Sequence, residues 1–162
     1  MKAYQTRVGK GPFPTEVKDE IGNVIRERGG EYGTTTGRPR RCGWLDLVMV
    51  RYATIINGLT GLAITKLDVL TGLEKIPVCV AYELDGKTIK TFPANIKDLA
   101  RCKPVWEELD GWSDFNISNA IKQGYDGLPR KMREYIEFIA EECKVPVKIV
   151  SIGKRRRETI ML

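Results

Sequence analysis

Among 162 residues there is no histidine, and 27 Lys and Arg stand against 21 Asp and Glu for a formal charge of +6. A chain of this size and apolar content can bury a core of its own and reads as one globular domain. Without histidine, a His-paired Ser or Cys nucleophile and a His general acid are both excluded.

Lys2 to Val8 reads as a short strand, and Gly9-Lys10-Gly11-Pro12-Phe13-Pro14 then interrupts regular structure. Val17, Ile21, Val24 and Ile25 recur at helical spacing, with Gly29-Gly30 as the stop. Val48, Tyr52, Ile55, Ile56 and Leu59 form one apolar stripe of an amphipathic helix, with Asp46 as cap and Asn57-Gly58 as terminator. Leu62 to Thr65 is a short buried strand leading into Lys66-Leu67-Asp68.

Val78 to Leu84 and Lys87 to Phe92 flank Asp85-Gly86, which predicts a hairpin. Asn95 to Arg101 is a short helix, and a strand follows near Val105-Trp106. Gly111 to Asp126 is weakly patterned. A helix starts near Pro129 with Leu128, Met132, Tyr135, Ile136, Ile139, Ala140 and Cys143 on one stripe. Pro146 ends it, and Val147 to Ile152 is a final buried strand. No repeat or low-complexity linker divides the chain.

No apolar run approaches the roughly 20 residues of a membrane span. The polar start Met1-Lys2-Ala3-Tyr4 is unlike a secretory leader, so a cytoplasmic location is expected. Cys42, Cys79, Cys102 and Cys143 lie far apart and lack C-x-x-C spacing, which predicts buried, reduced thiols and no structural zinc.

Three segments have the composition of ligand sites. In Gly33-Thr34-Thr35-Thr36-Gly37-Arg38-Pro39-Arg40-Arg41, the threonines offer hydroxyls and Gly37 allows close backbone approach. Its arginines supply planar forks that match carboxylate or phosphate oxygens, and Pro39 stiffens the loop. The same residues also describe a solvated basic loop.

Thr65-Lys66-Leu67-Asp68 stands at a strand end, where ligands bind in open α/β sheets. A carboxylate there can accept two hydrogens from the edge of guanine, though a surface Lys and Asp would look alike. Ser151-Ile152-Gly153 is a second strand exit, leading to the basic run Lys154 to Arg157. Positive clusters of this kind attract nucleic acid or small anions. No complete G-x-x-x-x-G-K-[ST] phosphate loop is present; Gly9-Lys10-Gly11 does not match it.

Taken in order, these segments resemble adenylosuccinate synthetase. The resemblance runs from Lys2-Ala3-Tyr4, through Gly11-Pro12-Phe13-Pro14-Thr15-Glu16, Gly33 to Asp46, Leu62 to Leu70 and Pro77 to Tyr82, to Pro146 to Gly153. It implies an α/β fold of the P-loop-NTPase-like family, with a central, mostly parallel mixed sheet, flanking helices and an antiparallel hairpin. It also implies ligation of IMP and L-aspartate driven by GTP, assisted by Mg²⁺, in AMP biosynthesis, by a cytoplasmic homodimer.

Residue by residue, the resemblance makes Thr34 to Arg40 the aspartate loop: Thr34, Thr35, Thr36, Gly37, Arg38, Pro39 and Arg40. Thr35, Thr36, Arg38 and Arg40 would hold the carboxylates, with Arg38 also near the IMP ribose and Arg40 near the GTP phosphates. Val8 stands where the family contacts IMP. Lys66, Leu67 and Asp68 match its guanine element, with Asp68 the reader, and Ser151, Ile152 and Gly153 match its last GTP turn. The family's phosphate loop, its catalytic aspartate and histidine, and its Mg²⁺ site have no counterpart here. The expectation is therefore a C-terminal portion of the enzyme that is inactive alone; a stand-alone guanine-nucleotide or RNA-binding module is the alternative.

Overall fold

The structure is a computed structural model that describes residues 1–162. Its strands are β1 (Gln5–Arg7), β2 (Arg41–Gly43), β3 (Leu62–Ile64), β4 (Lys75–Leu84), β5 (Lys87–Ile89), β6 (Lys103–Asp110), β7 (Val147–Ser151) and β8 (Thr159–Met161). Its helices are α1 (Glu20–Gly29), α2 (Leu47–Asn57), α3 (Ile96–Arg101), α4 (Ile117–Gln123) and α5 (Arg130–Cys143), with 3₁₀ turns at Leu67–Leu70 and Gly124–Gly127. The expected α/β class is present: a mixed sheet, flanking helices and antiparallel pairs. No helix is long and apolar enough to cross a membrane.

The backbone groups into two compact units, each described by itself. The first comprises Met1–Ala3, Ala53–Ile76 and Glu108–Leu162. It is built on the sheet β3-β7-β8, in which β3 runs parallel to β7 and β8 antiparallel to it. Met1–Ala3 lies beside β3, where the Ala3 N–H donates to the Thr65 carbonyl at 2.8 Å. The stripe expected on α5 faces inward: Met132, Tyr135, Ile136 and Ile139 are buried, and the Tyr135 hydroxyl donates to the Ala3 carbonyl at 2.6 Å. Burying side chains of this size contributes about 1.5–3 kcal/mol each.

The second unit comprises Tyr4–Tyr52 and Pro77–Glu107. β1 and β2 pair antiparallel, with Thr6 opposite Cys42 and Arg7 opposite Arg41. α1 starts at Asp19, whose carboxylate accepts the Ile21 and Gly22 N–H groups, and ends at Gly30 in the left-handed region (φ 60°). Gly22 does not break the helix; a Cβ there would sit 2.2 Å from the Val17 carbonyl, so close packing requires the glycine. Asp46 is buried, accepting from the Met49 N–H that starts α2 and from the Tyr82 hydroxyl. Burial pushes the Asp46 carboxyl up, against the pull of those two bonds. Around them pack Val48, Cys79, Leu99 and Cys102. The hairpin forms as expected between β4 and β5, with Asp85 at φ 51° and Gly86 at φ 75°, the signs a two-residue I′ turn requires.

Three features differ from expectation. The stripe on α2 is not a packed face: Val48 is buried, but Tyr52, Ile55 and Ile56 are 44%, 78% and 60% exposed. Periodicity identifies residues that share a helix face, not what covers that face. Gly111 to Asp126 contains α4, capped by Asn116 accepting from the Asn119 N–H; seven residues are too few for a periodic signal. The three-residue β8 is similarly short, and pairing with β7 alone defines it.

Candidate functional site

The parallel pairing of β3 with β7 aligns their ends. Ile64 is opposite Val150, so the chain leaves β3 into Thr65-Lys66-Leu67-Asp68 on the side where β7 exits through Ser151-Ile152-Gly153. Two segments far apart in sequence thereby meet at the carboxyl end of one sheet, the edge where α/β proteins bind ligands. Lys66 adopts a left-handed conformation (φ 63°), which costs a non-glycine residue about 1–2 kcal/mol and is typical of functional turns.

Leu67 and Ile152 are fully buried (0% exposed), so each can offer a ligand only its backbone. Asp68 is partly buried. Burial pushes its carboxyl up, Lys66 and Lys154 pull it back, and Glu158 adds a further push up.

The second exit is a closed turn. The Ser151 hydroxyl donates to the Gly153 carbonyl at 3.0 Å, and the Ile152 N–H donates to the Glu158 carbonyl at 3.0 Å. Glu158 Oε2 accepts the Arg155 N–H at 2.8 Å and would lie 2.3 Å from a Cβ added at Gly153. Beside this turn is a pocket of about 320 Å³, lined from α4 by Ile117, Ile121 and Lys122 and from the turn by Arg155, Arg157 and Glu158. Two isoleucines with three cations and one carboxylate give a partly apolar lining of net positive charge, which suits an aromatic or aliphatic ligand that carries negative charge.

The arginine loop belongs to the second unit and is closed on itself. The Gly33 N–H donates to the Arg38 carbonyl at 2.9 Å and the Gly37 N–H to the Gly33 carbonyl at 2.8 Å. Gly37 takes φ 63°, the left-handed turn for which glycine is suited. Thr34, Thr35, Thr36, Arg38 and Pro39 are exposed. Val8 is 79% exposed and leaves β1 at the end where the loop enters β2, since Arg7 pairs with Arg41. The structure thus brings Val8 and the loop together.

The three arginines have different surroundings. Arg41, grouped with the ligand forks on sequence, is committed to the protein: Nε and Nη2 donate to both oxygens of Glu16 at 2.7 and 2.6 Å. Its Nη1 donates to the Gly9 and Gly11 carbonyls. That pairing holds the Glu16 carboxyl below its usual range and raises Arg41. Arg41 opens β2, whereas Arg40 precedes the strand, and the two guanidiniums meet different carboxylates, Glu16 and Glu31.

Arg40 donates from Nη1 to Glu31 at 2.9 Å and keeps 32% of its side chain exposed. Arg38 carries no ion pair in the structure and is exposed. Glu31 and Tyr4, which the sequence reading does not single out, stand behind Arg40. Their only local signal is a charged residue directly after a Gly-Gly helix stop.

No group of three or more Cys, Asp, Glu or His residues is gathered as a metal site. The four cysteines are free and buried, and burial pushes the Cys79 thiol up to about 12. The Cys79 thiol therefore stays protonated and unreactive near neutral pH.

These features define an α/β protein with two turns at the carboxyl end of one parallel strand pair and an exposed arginine loop. A family model for adenylosuccinate synthetase matches residues 1–160, and the chain belongs to that family. The adenylosuccinate synthetase of Caldanaerobacter subterraneus subsp. tengcongensis is 54% identical over 162 residues, which are 100% of this chain and 37% of that protein. That of Methanothrix thermoacetophila is 56% identical over 162 residues, 100% of this chain and 38% of its own length. A solved structure, fully ligated adenylosuccinate synthetase from Plasmodium falciparum, superposes with a TM-score of 0.91 at 38% identity, over 99% of this chain and 38% of that one. The chain therefore spans a little over a third of the length of the relatives it matches.

Proposed function

We propose that this chain carries the aspartate-binding and guanine-binding elements of an adenylosuccinate synthetase. The reaction is the ligation of IMP and L-aspartate with hydrolysis of GTP, giving adenylosuccinate, GDP and phosphate. The observation that carries the reading is the common exit of β3 and β7, which sets Lys66–Asp68 beside Ser151–Gly153.

At that edge the Asp68 carboxylate accepts the two N–H groups of guanine's Watson–Crick edge, and the Lys66 stem lies across the base. Adenine presents no matching pair, so Asp68 would be left unpaired against it, which is the source of discrimination. In the arginine loop, Arg38 and Arg40 hold the aspartate carboxylates with the help of Thr35 and Thr36, and Val8 contacts IMP. Guanidinium forks suit carboxylates because two parallel N–H groups meet two oxygens.

The family's Mg²⁺ does not fit the residues present. No group of three or more metal-ligating side chains gathers in the chain, and the charges around Asp68 are Lys66, Lys154 and a single carboxylate, Glu158. Lacking histidine and a glycine-rich phosphate loop, the chain binds its ligands without performing the ligation alone.

The test is nucleotide competition on the purified chain. GTP should displace a fluorescent guanine nucleotide far better than ATP at low and at high salt, whereas phosphate-driven binding would collapse with salt and ignore the base. Equal displacement by ATP would remove the guanine assignment. Adenylosuccinate formed by the chain alone from IMP, GTP and aspartate would remove the non-catalytic one.

A further inference from the structure

Glu31 is fully buried (0% exposed), a situation a carboxylate tolerates only when it is paired and hydrogen-bonded. The end of α1 puts it there. Gly30 turns left-handed, and the Glu31 N–H donates to the Arg26 carbonyl at 2.9 Å, closing the helix. The residue after such a glycine is commonly apolar and packs back on the helix. Here a charged residue takes that place.

Its surroundings are built for it. The Tyr4 hydroxyl, itself buried, donates to Oε1 at 2.6 Å, and Arg40 Nη1 donates to Oε2 at 2.9 Å. Gly29 leaves room for the phenol: a Cβ there would lie 2.2 Å from the Tyr4 hydroxyl oxygen. The backbone of Arg40 is also held, with its N–H donating to the Glu31 carbonyl at 2.8 Å and its carbonyl accepting from Arg26 Nε at 2.9 Å. Arg40 Nε is buried without a hydrogen-bond partner, so the guanidinium is kept in place against a local penalty. A guanidinium has five N–H donors. Glu31 takes one, and the exposed remainder of the side chain is left for a ligand.

We propose that Glu31, backed by Tyr4, is a positioning residue for Arg40, fixing the guanidinium before a ligand carboxylate or phosphate arrives. The inference rests on the reading that Arg40 meets such an anion. Preorganisation of this kind strengthens binding because the side chain is ordered in advance. Electrostatics alone predicts the opposite sign. Glu31 is an anion, so neutralising it without moving Arg40 would tighten anion binding.

The experiment uses Glu31→Gln, which keeps the volume, and Tyr4→Phe, which keeps the charge. L-Aspartate is titrated into each chain by calorimetry, and ¹⁵N-arginine NMR follows the Arg40 guanidinium without ligand, its signal identified by loss in Arg40→Lys. The expected result is aspartate binding about three- to tenfold weaker in Glu31→Gln, a smaller loss in Tyr4→Phe, and faster guanidinium rotation at Arg40 in both. Unchanged rotation, or unchanged or tighter aspartate binding in a folded Glu31→Gln chain, overturns the proposal. If the unaltered chain binds no aspartate, the reading of the loop fails, and Arg40 rotation alone decides whether Glu31 positions it. Should Glu31→Gln not fold, Tyr4→Phe carries the same two readouts.

Discussion

Ile64 and Val150 are register partners in the parallel pair β3–β7, and both are completely buried. This one pairing sets where Asp68 and Ser151 leave the sheet. Parallel strands cannot be joined by a tight turn, and here the intervening chain includes α5, which packs on β7. The geometry of the strand-end site therefore depends on the core beneath it.

Replacing Ile64 by Ala should cost about 2–5 kcal/mol, because a fully buried side chain leaves a cavity. Replacing Ile55, which is 78% exposed, by Ser should change stability by less than about 0.5 kcal/mol. Urea denaturation of both variants checks the contrast. Equal losses would mean that the α2 stripe is packed after all.

Asp68→Asn should reduce the preference for GTP over ATP roughly ten- to a hundredfold, the value of hydrogen bonds to a charged acceptor. The melting temperature should barely change, since the carboxylate is only partly buried. Competition binding reads the preference and thermal melting controls for the fold. An unaltered preference would place the base elsewhere.

The neighbouring arginines should separate cleanly. Arg41→Ala breaks a two-pronged bond to Glu16 and two bonds to backbone carbonyls, and should lower stability by about 1–2 kcal/mol at its partly exposed position. Arg38→Ala should leave stability within about 0.5 kcal/mol and abolish aspartate binding. Denaturation and calorimetry on the two variants would expose any exchange of these roles.

Acid stability should depend on Asp110. Lys131 and Lys75 donate to it at 2.5 and 2.8 Å and hold its carboxyl at about 2, below the usual aspartate range. A carboxyl lowered in the folded state stabilises the fold above the unfolded value near 3.9 and loses that contribution as pH falls toward 2. Asp110→Asn should flatten the fall in stability between about pH 4 and pH 2 and leave the neutral-pH ligand affinities unchanged. Denaturant midpoints across that range measure it; parallel curves for the two proteins would contradict the assignment.

Much of this was legible from local pattern. Asp46 and Asn95 announce helix starts because a short polar side chain can accept the first free N–H groups. Gly30 and the Asp85-Gly86 pair announce reversals because they tolerate positive φ. The inward stripe of α5 follows from its spacing. Each of these rules acts over a few residues, so a single sequence carries it. α4 and β8 escaped because two helical turns and three strand residues give too little periodicity.

The candidate site divides in the same way. The types of residue in the Thr34 to Arg40 loop and in Lys66-Leu67-Asp68, and the absence of histidine, were set by the sequence alone, as were the ordered motifs that mark the family. Whether an arginine is free to meet a ligand was not. Arg38, Arg40 and Arg41 are one basic cluster on paper, yet one is exposed, one is held by Glu31 and one is locked to Glu16. Ion pairs join residues 9 and 25 positions apart here, and only the folded chain decides which carboxylate meets which guanidinium. The tertiary structure also decided that the apolar stripe of α2 is buried at Val48 but exposed at Ile55 and Ile56, and that Ser151 emerges beside Asp68, because burial and strand register depend on what packs alongside.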